Sequence, residues 1–134
     1  MSTIKVKSNI IEIGKVLSDG TILTKEIAKQ LVNNWNANSN IEYGTLANSN
    51  SVPGFPIIDF ADITHKIISL ELNGNFIRAN IEVLDKNENV VNALKNNLLY
   101  TDTHIRKIGD SIIDIYSIDL TVEPKNENCI VKML

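Results

Sequence analysis

Cysteine is nearly absent. Cys129 stands alone in 134 residues, which excludes an internal disulfide and any multi-cysteine metal site. Histidine is almost as scarce: only His65 and His104 can supply an imidazole. Arginine is limited to Arg78 and Arg106, and the formal net charge is −3. That balance argues against a nucleic-acid binder driven by electrostatics. No apolar run approaches the length of a membrane-crossing helix. The opening MSTIKVKSN alternates charged and apolar residues and lacks the apolar stretch of a signal peptide. Neither a P-loop nor a G-x-G-x-x-G is present, so no motif supports a nucleotide site. The expectation is a soluble protein made in a cytoplasm, with no cofactor, no metal, no membrane contact and no direct nucleic-acid binding.

What is present is ordinary globular composition, 43% hydrophobic, in a chain long enough for one domain (1–134) and too short for two. Ile4 to Ile13 reads as one or two short strands marked by Val6, Ile11 and Ile13, and Ser18-Asp19-Gly20 as a turn. Thr24 is a candidate N-cap for a helix whose Ile27, Ala28, Leu31, Val32 and Trp35 share one face, ended by Asn36 to Asn40. Ile41 to Leu46 reads as a strand, and Asn48 to Pro56, with two prolines and a glycine, as a loop. Ala61 to Asp85 reads as a β-hairpin turning at Asn73-Gly74, since a type I′ turn favours Asn-Gly. Ile77, Ala79, Ile81 and Val83 alternate with polar residues on its second strand. On its first strand Ile68, Leu70 and Leu72 give the matching face, which leaves His65, Ile67, Ser69 and Glu71 on the other. Asn87 to Asn97 reads as a short helix with Val90, Val91, Leu94 and Leu98 on one face. Strands follow at Thr103–Ile108 and Ile112–Val122, turned by Gly109-Asp110. After a loop at Pro124–Asn128, Cys129–Leu134 forms a last short strand. The fold class expected is α+β: mostly antiparallel strands in a partly closed barrel or sandwich, with two helices packed outside.

Few residues can carry chemistry. A metal site would need His65, His104 and an acid such as Asp62 or Asp102 to converge, and no close-spaced ligand pair points to one. A nucleophile, base and orienter could use His65 as base and Asp119 as orienter. The plainer readings are a half-exposed histidine on the outer face of a strand and a strand-end carboxylate. Cys129, in the apolar run NCIVKML, reads as a small buried hydrophobe rather than a thiol nucleophile.

The order of short motifs carries more. Tyr43-Gly44 is followed by Ile63-Thr64-His65-Lys66-Ile67, the Asn-Gly hairpin and Ile81-Glu82-Val83-Leu84-Asp85. After a helix come Arg106-Lys107-Ile108-Gly109 and Ser117-Ile118-Asp119-Leu120. From about Ile10 to Pro124 this resembles the prohead (capsid maturation) proteases of tailed phages, related in fold to the herpesvirus assemblins. The resemblance puts His65 at the base position and Asp119 at a possible third position. The serine nucleophile that precedes the arginine of the family's R-G motif is missing. His104 and Ile105 occupy that place, Thr101 and Thr103 are the nearest hydroxyls, and Lys107 replaces the usual small glycine. Loss of a nucleophile costs such a mechanism on the order of 10⁶-fold in turnover.

Three functions compete, two of them implied by the resemblance and a third that holds if the resemblance is coincidental. The first, taken as the expectation, is a phage head or tail structural or assembly protein on a protease-like fold without peptidase activity, located in the virion or the host cytoplasm. The second is an active head-maturation peptidase using His65, Asp119 and Thr103 or Thr101. The third is a small phage-encoded binding protein acting on a host factor. For the first, contact residues are expected at Phe55 in the 48–56 loop and at Ile130 and Met133 in the last segment, which can add a strand to a partner's sheet. Phage structural proteins and further copies of the chain are the expected partners.

Overall fold

Hydrophobic alternation and turn chemistry organise most of the chain. The computed structural model describes residues 3–15, 22–37, 42–45, 63–108, 111–123 and 126–134. The elements are β1 (Thr3–Glu12), α1 (Lys25–Ala37), β2 (Glu42–Thr45), β3 (Ile63–Asn73), β4 (Phe76–Leu84), α2 (Glu88–Lys95), β5 (Tyr100–Ile108), β6 (Ser111–Thr121) and β7 (Val131–Met133). A 3₁₀ turn, Glu127–Cys129, precedes β7. The fold is α+β with two helices among the described residues. The 48–56 loop with Phe55, and the turns expected at Ser18–Gly20 and Gly109–Asp110, lie outside the described residues.

Five strands form one sheet in the order β2-β3-β4-β1-β7, and β5 and β6 form a separate hairpin. The named strand pairs are antiparallel. Main-chain pairing does not close the two sheets into a barrel among the described residues; an isolated bridge, Tyr100 to Ile130, links them. Side chains add further ties. The Thr101 hydroxyl donates to the Asn9 carbonyl at 3.1 Å and that of Thr103 to the Ile10 carbonyl at 3.1 Å, which fastens β5 to β1.

Strand β4 alternates as its sequence implies: Ile77, Ala79, Ile81 and Val83 are buried and the residues between them are not. They join Val6, Leu31, Ile67, Leu70, Leu94, Leu99, Ile118 and Leu120 in one core, with Trp35 packed against it. Thr24 caps α1, its hydroxyl accepting from the Ile27 N–H at 3.2 Å. Asn87 caps α2 by accepting from the Asn89 and Val90 N–H groups.

Four local expectations need correction. Asn73 pairs with Phe76, so the central turn residues are Gly74 and Asn75. Only Gly74 (φ 59°) has positive φ there, as in a II′ turn with glycine first. A bulge between Ile67 and Ser69 shifts the parity of β3. His65 and Ile67 therefore share the core side with Leu70, while Ile68 is exposed. Helix α2 ends at Lys95, two residues before the expected Asn97. The Asn97 N–H donates to the Leu94 carbonyl and that of Leu98 to the Ala93 carbonyl, with Asn97 left-handed at φ 58°. That turn points Leu98 outward and Leu99 inward. Finally, β5 begins at Tyr100, three residues before the expected start at Thr103.

Candidate functional site

Strand β3 carries His65 into the core, where it is fully buried rather than half-exposed on an outer face. Its Nε2 lies 2.6 Å from the Ile118 carbonyl and its Nδ1 lies 2.7 Å from the Thr64 hydroxyl. A carbonyl only accepts, so Nε2 carries the proton. Burial pulls the imidazole pKa down to about 4, against the smaller opposing effects of the Ile118 bond and the Asp119 charge. The ring is therefore neutral, Nδ1 accepts, and Thr64 donates to it. His65 thus bridges β3 to β6.

On the hairpin, Asp102 lies opposite Asp119, and Thr101 and Thr103 lie opposite Leu120 and Ile118. Leu120 and Ile118 belong to the core, so Asp102, His104 and Asp119 share the other face of the hairpin. Two buried carboxylates in register would repel each other. His104 lies beside both: its Nε2 is 3.4 Å from Asp102 Oδ2 and 3.2 Å from Asp119 Oδ2. Hydrogen bonds donated to Asp102 and then to Asp119 hold the His104 pKa up at about 9, against partial burial. At neutral pH His104 is an imidazolium clamped between two acids.

These positions separate the residues expected to act together. Asp119 is ion-paired to His104, and it reaches His65 through its charge rather than a hydrogen bond. Thr103 is bonded to the Ile10 carbonyl. Thr101 is bonded to the Asn9 carbonyl and lies 3.3 Å from Ser8 Oγ. Neither threonine is hydrogen-bonded to His65. The hydroxyl that does, Thr64, is itself buried. Its proton faces a weak base, oriented by a carbonyl instead of a carboxylate. Cys129 is buried, and desolvation raises its thiol pKa to about 11, so it is a poor nucleophile. Ile130 pairs with Tyr100, and Met133 lies half-exposed on β7.

Reading the sequence missed Thr64 as a partner of His65 and His104 as a partner of Asp119. The spacing Asp102-x-His104 held the second signal, because residues two apart on a strand share a face. Among the described residues no group of three or more His, Cys, Asp or Glu side chains is arranged to hold a metal ion. Nor is any helix in them long and apolar enough to cross a membrane. Compared with known proteins, the chain matches no family model, no curated protein and no solved structure.

Proposed function

We propose that this chain is a structural or assembly protein of a tailed-phage head or tail, built on a prohead-protease-like fold and working without peptidase activity. One observation carries the proposal. Both ring nitrogens of His65 are engaged inside the core, and the Thr101 and Thr103 hydroxyls are bonded to β1. A histidine with a pKa near 4, bonded to a hydroxyl that is itself buried, suits a strand tie better than a general base. The same bonds support a partly closed barrel: β5 is tied to β1 by the two threonines, and β6 to β3 by His65. Partners on this reading are other head or tail proteins, met in the virion or during assembly in the host cytoplasm.

Mass spectrometry of purified particles, together with labelling by a fluorophosphonate, tests the reading. The expected result is the intact chain in particles, with no labelled hydroxyl. A labelled Thr64, Thr101 or Thr103, or self-cleavage that a His65→Gln variant abolishes, would establish the peptidase instead. Absence from particles, with capture of a host protein, would establish the host-factor binder.

A further inference from the structure

Strand β7 is an edge of the five-stranded sheet. Val6 pairs with Met133, Lys7 with Lys132 and Ser8 with Val131, and the Leu134 N–H donates to the Lys5 carbonyl at 3.2 Å. In an antiparallel ladder this makes Lys7 and Lys132 a hydrogen-bonded pair and turns the main-chain groups of Val131 and Met133 away from β1. The Val131 N–H is taken by the Leu99 carbonyl at 2.9 Å. Further along, the Met133 N–H has no acceptor among the described residues.

The same edge concentrates positive charge. Lys132 lies directly opposite Lys7 on the outer face, with Lys5 two residues along. Lys5 faces Glu82, but Glu82 is ion-paired with Lys66 at 3.4 Å. Among the described residues no carboxylate is ion-paired with Lys5, Lys7 or Lys132. Like charges directly opposite weaken a strand pair, and here they gather in a chain whose net charge is −3. Beside them Leu134 and Met133 are 72% and 51% exposed.

We propose that the outer edge of β7 takes an extended acidic segment of a different protein as an added strand. Its main chain pairs with Met133, an acid lies beside Lys132, and an apolar residue lies beside Met133. Such a segment alternates acidic and apolar residues, because neighbouring side chains on a strand face opposite ways. A second copy of this chain is disfavoured, since it would bring two lysine-bearing edges of like charge together. Nucleic acid fits less well, because it leaves the Met133 N–H and the apolar side chains unused. The proposal holds whether or not the chain works inside a particle.

Fluorescence anisotropy with a labelled peptide alternating glutamate and valine tests it on the full chain. Binding is expected to weaken with salt. It should fall about tenfold or more in the Lys7→Glu/Lys132→Glu variant. It should be lost in Met133→Pro, which removes the outward N–H and no bond to β1. Where the proline variant fails to fold, the lysine variant carries the test. No binding of this peptide would overturn the proposal, as would equal binding of a lysine–valine peptide. So would tighter binding of duplex DNA, wild-type affinity in a folded Met133→Pro, or self-association through β7 in place of peptide binding.

Discussion

His65 is an apolar-core residue with two polar obligations, and that decides what substitution does to it. Alanine would remove the hydrogen bonds that His65 makes with the Ile118 carbonyl and the Thr64 hydroxyl and open a cavity the size of a ring. Urea denaturation of His65→Ala should show a loss of about 3 kcal/mol, from the cavity together with the lost hydrogen bonds. A change below 1 kcal/mol would mean that the ring is not the tie between β3 and β6 described above. The histidine stood out in the sequence because only two exist, and Asp119 stood out through its late-strand motif. Their partners did not. Thr64 is adjacent in sequence, but its hydroxyl matters only once burial leaves Nδ1 in need of a donor. His104 lies opposite Ser117, and its bond to Asp119 depends on strand register, which no single strand pattern specifies.

Whole elements were legible where one periodicity ran unbroken, and obscure where a single residue interrupted it. Strand β4 alternates cleanly and could be read in full, α1 shows its capping residue Thr24, and both helices show most of their buried faces. In β3 the bulge at Ile68 reversed the assignment of faces, because an extra residue changes the parity of everything on one side of it. The end of α1 holds a second such case. Asn36, which reads as a helix stop, lies within the last turn and accepts from the Leu70 N–H at 3.1 Å while donating to the Leu70 carbonyl at 2.8 Å. Strand β2 pairs with β3 only from Ile63 to Ile67, so an amide side chain takes over main-chain pairing further along that edge. Asn36→Ala should cost about 1–2 kcal/mol, two part-buried hydrogen bonds being lost together. Amide exchange at Leu70 should accelerate more than at Ala79, its partner on β4. Equal acceleration at both would show general unfolding in place of the local opening expected here.

At the scale of the whole molecule the two histidines act in opposite directions on stability, one on each side of pH 6.5. His65 has a folded pKa of about 4, below the ordinary 6.5. The unfolded chain therefore binds a proton that the folded chain refuses between those values, and stability falls as pH drops from 6.5 toward 4. That limb is worth about 3 kcal/mol for a fully buried ring. His104 has a folded pKa of about 9, above 6.5. Its clamp on Asp102 and Asp119 is fully present below pH 6.5 and is lost as pH rises toward 9. Solvent reaches this ring, so that limb is reduced to about 1–2 kcal/mol. The two slopes meet near the unfolded histidine value, and urea midpoints should peak at about pH 6.5 with a steeper acid side. His65→Gln should flatten the acid limb and leave the alkaline limb in place. His104→Gln should do the reverse, and should lower the curve below about pH 9, where Asp102 and Asp119 then face each other without the cation that the wild type has between them. A profile whose alkaline limb survives in His104→Gln would show that some other group, and not this clamp, holds the β5–β6 hairpin together above neutrality.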